Sequence, residues 1–162
     1  MNRLSVTMVE TAPAASGSYL HPEITFSLLI DGLPHPGFAG LSIDPGAFIA
    51  SSEDDEFFVA TCGCGVPDCA GVFEGVTVIR GAGRVHWKIP EPYAFPDGAT
   101  CTEPTTYAEF SFDADEYRQQ VAGVIAALRG LAQREQAGEQ FSIDANAGTP
   151  ASTILHRWLG GS

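Results

Sequence analysis

A helix that no other reading accommodates fixes the C-terminal half of this chain. Tyr117, Val121, Val124, Ile125, Leu128, Leu131 and Ala132 recur at the i, i+4, i+7, i+8 spacing that puts side chains on one stripe of a helix. Asp113, with Glu116 three residues on, supplies a capping-box start, and both acids suit the positive end of the helix dipole. Gly138 supplies a stop. The predicted helix therefore runs over Asp113–Gln136. Gly123 and Gly130 fall well off the stripe, where solvent exposure accounts for them. An apolar stripe this long must be covered, so the rest of the chain has to present a complementary apolar surface.

That surface reads as β-sheet. Leu4, Val6 and Met8 alternate with polar residues, as do Ile24, Phe26, Leu28 and Ile30, which Asp31-Gly32 closes with a turn signal. Leu33 to Gly37 reads as a proline-stiffened connector, and Phe38 to Ile43 as a short strand ended by Asp44-Pro45-Gly46. Phe57 to Ala60 has the apolar run of a buried strand. Val72–Arg80 and Arg84–Ile89 flank Gly81-Ala82-Gly83 and predict a hairpin, with Val85, Trp87 and Ile89 on one face and His86 and Lys88 on the other. Pro90 to Thr106 carries four prolines and Cys101 and reads as a long loop; Ala108, Phe110 and Phe112 form the last strong strand. Phe141 to Ile143 is weakly β, and Thr149-Pro150 opens a short helix carrying Leu155, Trp158 and Leu159. The expected architecture is one α+β domain over residues 1–162: a mostly antiparallel sheet, in a sandwich-like variant two sheets, covered by one long amphipathic helix.

The charge balance excludes some functions. With 8 Lys+Arg against 20 Asp+Glu the net charge is −12. Nucleic acids and anionic membranes attract the opposite sign, so neither is an expected partner; a basic protein is. No apolar run is long enough for a bilayer, and Thr7 and Glu10 interrupt the segment where a signal peptide needs continuous hydrophobicity. The expected compartment is a reducing cytoplasm, where thiols are more often free or metal-bound than paired. The acidic run Glu53-Asp54-Asp55-Glu56 lacks the spaced ligands and central glycine of a calcium loop and reads as a solvated turn. No nucleophile elbow, phosphate loop or HExxH pair occurs, and Gly81-x-Gly83 joins two strands rather than opening a helix.

Three of the four cysteines, Cys62, Cys64 and Cys69, fall on one glycine- and proline-rich turn between apolar strands. Thiolates favour zinc, and tetrahedral closure needs a fourth ligand, for which Cys101 and His86 are the candidates. The C-x-C-x4-C spacing is not the paired C-x2-C of well-attested zinc sites. Small buried thiols that pack like apolar residues are the competing reading. A disulfide is disfavoured by the inferred compartment, and a redox thiol by the absence of adjacent positive charge. His21 and His35 precede prolines and read as loop residues; Trp87 and Trp158 read as core.

The ordered set Cys62-x-Cys64-Gly65-x3-Cys69, Val85-x-Trp87 and Phe110-x-Phe112-Asp113-x3-Tyr117 resembles a group of short uncharacterised bacterial proteins, over about residues 57–131. The resemblance implies no activity. The expected function is a non-enzymatic acidic binding or accessory module, of the inhibitor or immunity type, with a structural cysteine cluster and one structural zinc. A metal- or thiol-dependent enzyme using the cluster is the alternative.

Overall fold

The computed structural model describes residues 1–13, 20–95, 104, 106–146 and 148–159, the side chain of Trp158 excepted. Cys101 lies outside the described residues, as does most of the proline-rich loop. In chain order the strands and helices are β1 (Leu4–Thr11), β2 (Glu23–Ile30), β3 (Leu33–Pro34), β4 (Ser42–Ile43), α1 (Pro45–Ala50), β5 (Glu56–Phe57) and β6 (Ala60–Thr61). There follow β7 (Val76–Gly81), β8 (Arg84–Glu91), β9 (Thr106–Asp113), α2 (Ala114–Gln136), β10 (Ser142–Ile143) and α3 (Ala151–Leu159).

The fold is α+β, and its β-structure is divided rather than a single sheet. β1 and β2 pair antiparallel from Leu4 opposite Ile30 to Thr11 opposite Glu23. β3 adds to one end of β2 antiparallel, and β10 adds to the other end parallel. A second antiparallel sheet has the order β5-β7-β8-β9, and β4 with β6 forms a small ladder. The two larger sheets meet where Asn2 N–H donates to Ser111 O at 2.8 Å and Ser111 N–H donates to the Asn2 side chain at 3.0 Å.

Period-2 patterning decides which faces are buried. Ile24, Phe26, Leu28 and Ile30 are buried along β2 while the residues between them are half-buried. Val85, Trp87 and Ile89 do the same along β8. The stripe on α2 closes the core: Tyr117, Val121, Val124, Leu128, Leu131 and Ala132 are buried, and Ile125 is half-buried. α2 packs on β1 and α3, and Tyr117 meets the rings of Trp87 and Phe112, so one helix seals both sheets. The Asp113 carboxylate accepts from the N–H groups of Asp115 and Glu116 at 2.9 and 3.0 Å, the expected cap. Gly123 is exposed as expected, and Gly130, half-buried, also has open space where a Cβ would sit.

The segment 33–56 differs from expectation. Pro34 pairs on a strand, Pro36–Phe38 forms a 3-10 turn, and only Ser42–Ile43 of the expected strand is extended. Asp44 then caps a helix, α1, accepting from Gly46 and Ala47 N–H with Pro45 at the first position. Pro45 has no N–H to lose there, so Asp-Pro-Gly starts a helix instead of merely ending a strand. Ser51 is fully buried; its Oγ donates to Phe48 O and lies 2.5 Å from the Tyr117 hydroxyl. Arg80 fastens the acidic turn that follows, through Asp55 and the carbonyls of Ser51 and Asp54.

Candidate metal centre

β6 carries the chain out of the core into the cysteine turn. Its position is held by the Tyr93 hydroxyl, which accepts from Ala60 N–H at 3.3 Å and donates to Ala60 O at 3.1 Å. Buried Thr61 donates through Oγ1 to Cys62 O at 3.0 Å, and Gly65 N–H donates to the same carbonyl at 2.9 Å. The turn cannot open at Gly65. Its φ is +78° and a Cβ there would lie 2.2 Å from Ala145 O, so only glycine fits against the turn after β10. At the far end Gly71, with φ +71°, ends the 3-10 turn Asp68–Ala70, and its carbonyl accepts from Phe95 N–H at 2.9 Å. A Cβ on Gly71 would lie 2.3 Å from Phe95 O.

Two backbone clamps thus bring the sulfurs of Cys62, Cys64 and Cys69 within 4.8 Å of one another. Tetrahedral zinc with Zn–S of about 2.3 Å separates its sulfurs by about 3.8 Å, so three reduced thiols this close need only side-chain rotation to form such a site. Cys62 is half-buried and Cys64 and Cys69 are exposed, so the thiols are not enclosed in the apolar core. Contrary to the expectation from compartment, Cys62 and Cys64 form a disulfide, with their Cα atoms 5.3 Å apart, and Cys69 is a free thiol. Two carboxylates flank the turn: Asp68 precedes Cys69, and Asp144 Oδ1 lies 3.2 Å from where a Gly63 Cβ would stand. Negative charge beside thiolates suits a divalent cation.

The remaining candidates fall elsewhere. Among the described residues, Cys62, Cys64 and Cys69 are the group within that mutual distance, and His86 is not among them. His86 is half-buried on β8 between Ile79 and Ser111, on the face away from Trp87. Trp87 is fully buried, as its alternation required.

The histidine whose place the sequence reading missed is His35. It is 7% exposed, packs edge-on to Phe110 and against Phe38, and accepts from Gly37 N–H through Nδ1 at 3.1 Å. Burial holds its pKa below the ordinary histidine value, against an opposing pull from Glu91. The signal was present: His-Pro-Gly is a capped turn with proline at its first position. Asp44 is half-buried, and its partial desolvation pushes its carboxyl up; bonds from Ala47, Asn146 and Gly46 and the charge of Arg157 oppose that. Both side chains are spent on capping.

No protein-family model matches the chain, and no curated protein or solved structure matches it either. Among the described residues, no helix is long and apolar enough to cross a membrane.

Proposed function

We propose that this protein is a non-enzymatic binding or accessory module whose thiol corner holds one structural zinc ion through Cys62, Cys64 and Cys69. The observation that carries the reading is the convergence of three exposed or half-exposed sulfurs within 4.8 Å on a turn clamped by backbone at both ends. Reduced, these thiols are three soft donors at zinc spacing. A fourth ligand completes the tetrahedron; Cys101 and a water are the candidates, and Cys101→Ser identifies which. A structural zinc can contribute on the order of 10 kcal/mol, as much as a whole domain's stability. The same reading places the protein in a reducing cytoplasm with a basic protein partner and no nucleic-acid partner, because the net charge of −12 attracts cationic surfaces.

The test is metal analysis of protein purified under reducing, chelator-free conditions. About one zinc per chain is expected, lost in Cys64→Ser and in Cys69→Ser. A reduced protein that carries no zinc and takes none up on titration overturns the reading. The partner proposal predicts salt-sensitive capture of a basic protein, since exposed charges are screened beyond about 10 Å at 0.1 M salt.

The pairing of Cys62 with Cys64 beside a free Cys69 favours a second reading, a thiol-dependent enzyme. Two electrons and two protons would pass from a substrate dithiol to the 62–64 disulfide, leaving a substrate disulfide and two thiols here. A stable mixed disulfide formed by a single-cysteine variant with a dithiol substrate supports that reading; turnover unchanged in Cys62→Ser excludes it.

A further inference from the structure

A second site lies on the far side of the fold's hairpin. A cavity of about 260 Å³ opens between the β7–β8 turn, the first turns of α2 and Ser52 of the acidic turn. Arg80, Arg84 and Arg118 line it, with Tyr117 and Ala114 as its inner wall. No aspartate or glutamate lines it. The chain has 8 Lys+Arg and 20 Asp+Glu, yet among the described residues three cations and no acid line this one hollow. A surface coloured at random by this composition would give the opposite sign.

The three guanidinium groups come from three elements and are held differently. Arg80 is fixed from behind, by Asp55 at 2.9 Å and the Ser51 carbonyl at 2.6 Å. Arg118 pairs with Asp115 one turn back along α2. The side chain of Arg84, on the strand paired with Arg80's and opposite Asp113 of β9, makes no hydrogen bond or ion pair among the described residues. Each guanidinium offers five N–H donors in a planar fork that matches a carboxylate or phosphate, and Arg84 has all five to give.

We infer that this arginine-lined cavity binds a small anion through a phosphate or carboxylate group, with Arg84 as the principal donor. Its volume is below the roughly 300–1,000 Å³ of drug-sized pockets, which fits a compact metabolite rather than a nucleotide.

Calorimetric titration with inorganic phosphate and, separately, malonate at constant ionic strength tests this. Saturable binding of at least one is expected, and the tighter of the two identifies the class. Arg84→Gln removes charge-assisted bonds, so at least a tenfold loss of affinity is expected with an unchanged melting temperature. Gly81→Glu places a carboxylate at the rim, where a Cβ meets nothing within 4 Å, and should abolish binding in a folded protein. Absence of saturable binding of both anions overturns the inference, and so does affinity unchanged in Arg84→Gln, which decides the matter alone if Gly81→Glu does not fold.

Discussion

Two buried phenols set the alkaline limit of this protein. Burial pushes Tyr93 and Tyr117 up from the usual phenol value to about 12, against smaller opposing hydrogen bonds from Ala60 and Ser51 respectively. Both are 2% exposed, so solvent does little to screen the effect. A folded pKa above the unfolded one means that the folded state resists ionisation. Stability from this source is whole below about pH 10 and is lost as pH rises through about 12. Each difference of about two in pKa corresponds to about 2.7 kcal/mol, so the pair removes about 5 kcal/mol in strong base. That reaches the lower end of the roughly 5–15 kcal/mol that holds a domain together. Cooperative unfolding between about pH 10 and pH 12 is therefore expected. Tyr117→Phe should cross the wild type: about 1 kcal/mol less stable at neutral pH, because Ser51 loses a partner, yet more stable in strong base. The assay follows tyrosinate absorbance and circular dichroism on the same samples. Two of the four tyrosines should ionise only as the dichroism collapses. Full tyrosinate absorbance in a protein with native dichroism would refute the burial argument.

Other substitutions probe the clamps and the helix. Gly65→Ala forces a Cβ to within 2.2 Å of the Ala145 carbonyl at positive φ, so it should cost at least about 2 kcal/mol in denaturant melts and lower zinc uptake with the sulfurs untouched. Gly123→Ala, on the exposed face of α2 with open space for the methyl, should raise stability by about 0.5–1 kcal/mol in the same melts. Leu128→Ala, at a fully buried position on the stripe, should lower it by about 2–5 kcal/mol. Asp113→Ala should lower it by about 1 kcal/mol and fray the first turn of α2, read by amide exchange at Asp115 and Glu116.

The elements legible in the sequence were those whose pattern repeats. α2 runs 23 residues and β2 and β8 run 8 each, long enough for alternation or a helical stripe to exceed accident. The two-residue strands and the six-residue helix α1 hold one or two periods at most, and there turn chemistry decides. Asp44-Pro45 read as the end of a strand because its cap was weighed without the helix it opens. Division of the β-structure was hidden for a related reason. β5 and β6 are two residues each, and the apolar run Phe57–Ala60 straddles both, although they pair in different sheets.

The two sites separate local from non-local information. The thiols fall within a span of eight residues, so the chain itself holds them near one another and the motif is visible in one line of sequence. What turns nearness into a site is not local: Ala145 and Phe95 clamp Gly65 and Gly71 from elsewhere in the fold. The arginine hollow has no local component beyond Arg80 and Arg84, which read as the ends of an ordinary hairpin. Only when α2 docks does Arg118 join them, so that three arginines of a chain of net charge −12 line one hollow. The aromatic packing that seats α2, Tyr117 against Trp87 and Phe112, is therefore also what assembles that surface, so a substitution that loosens Tyr117 should weaken anion binding before it unfolds the protein.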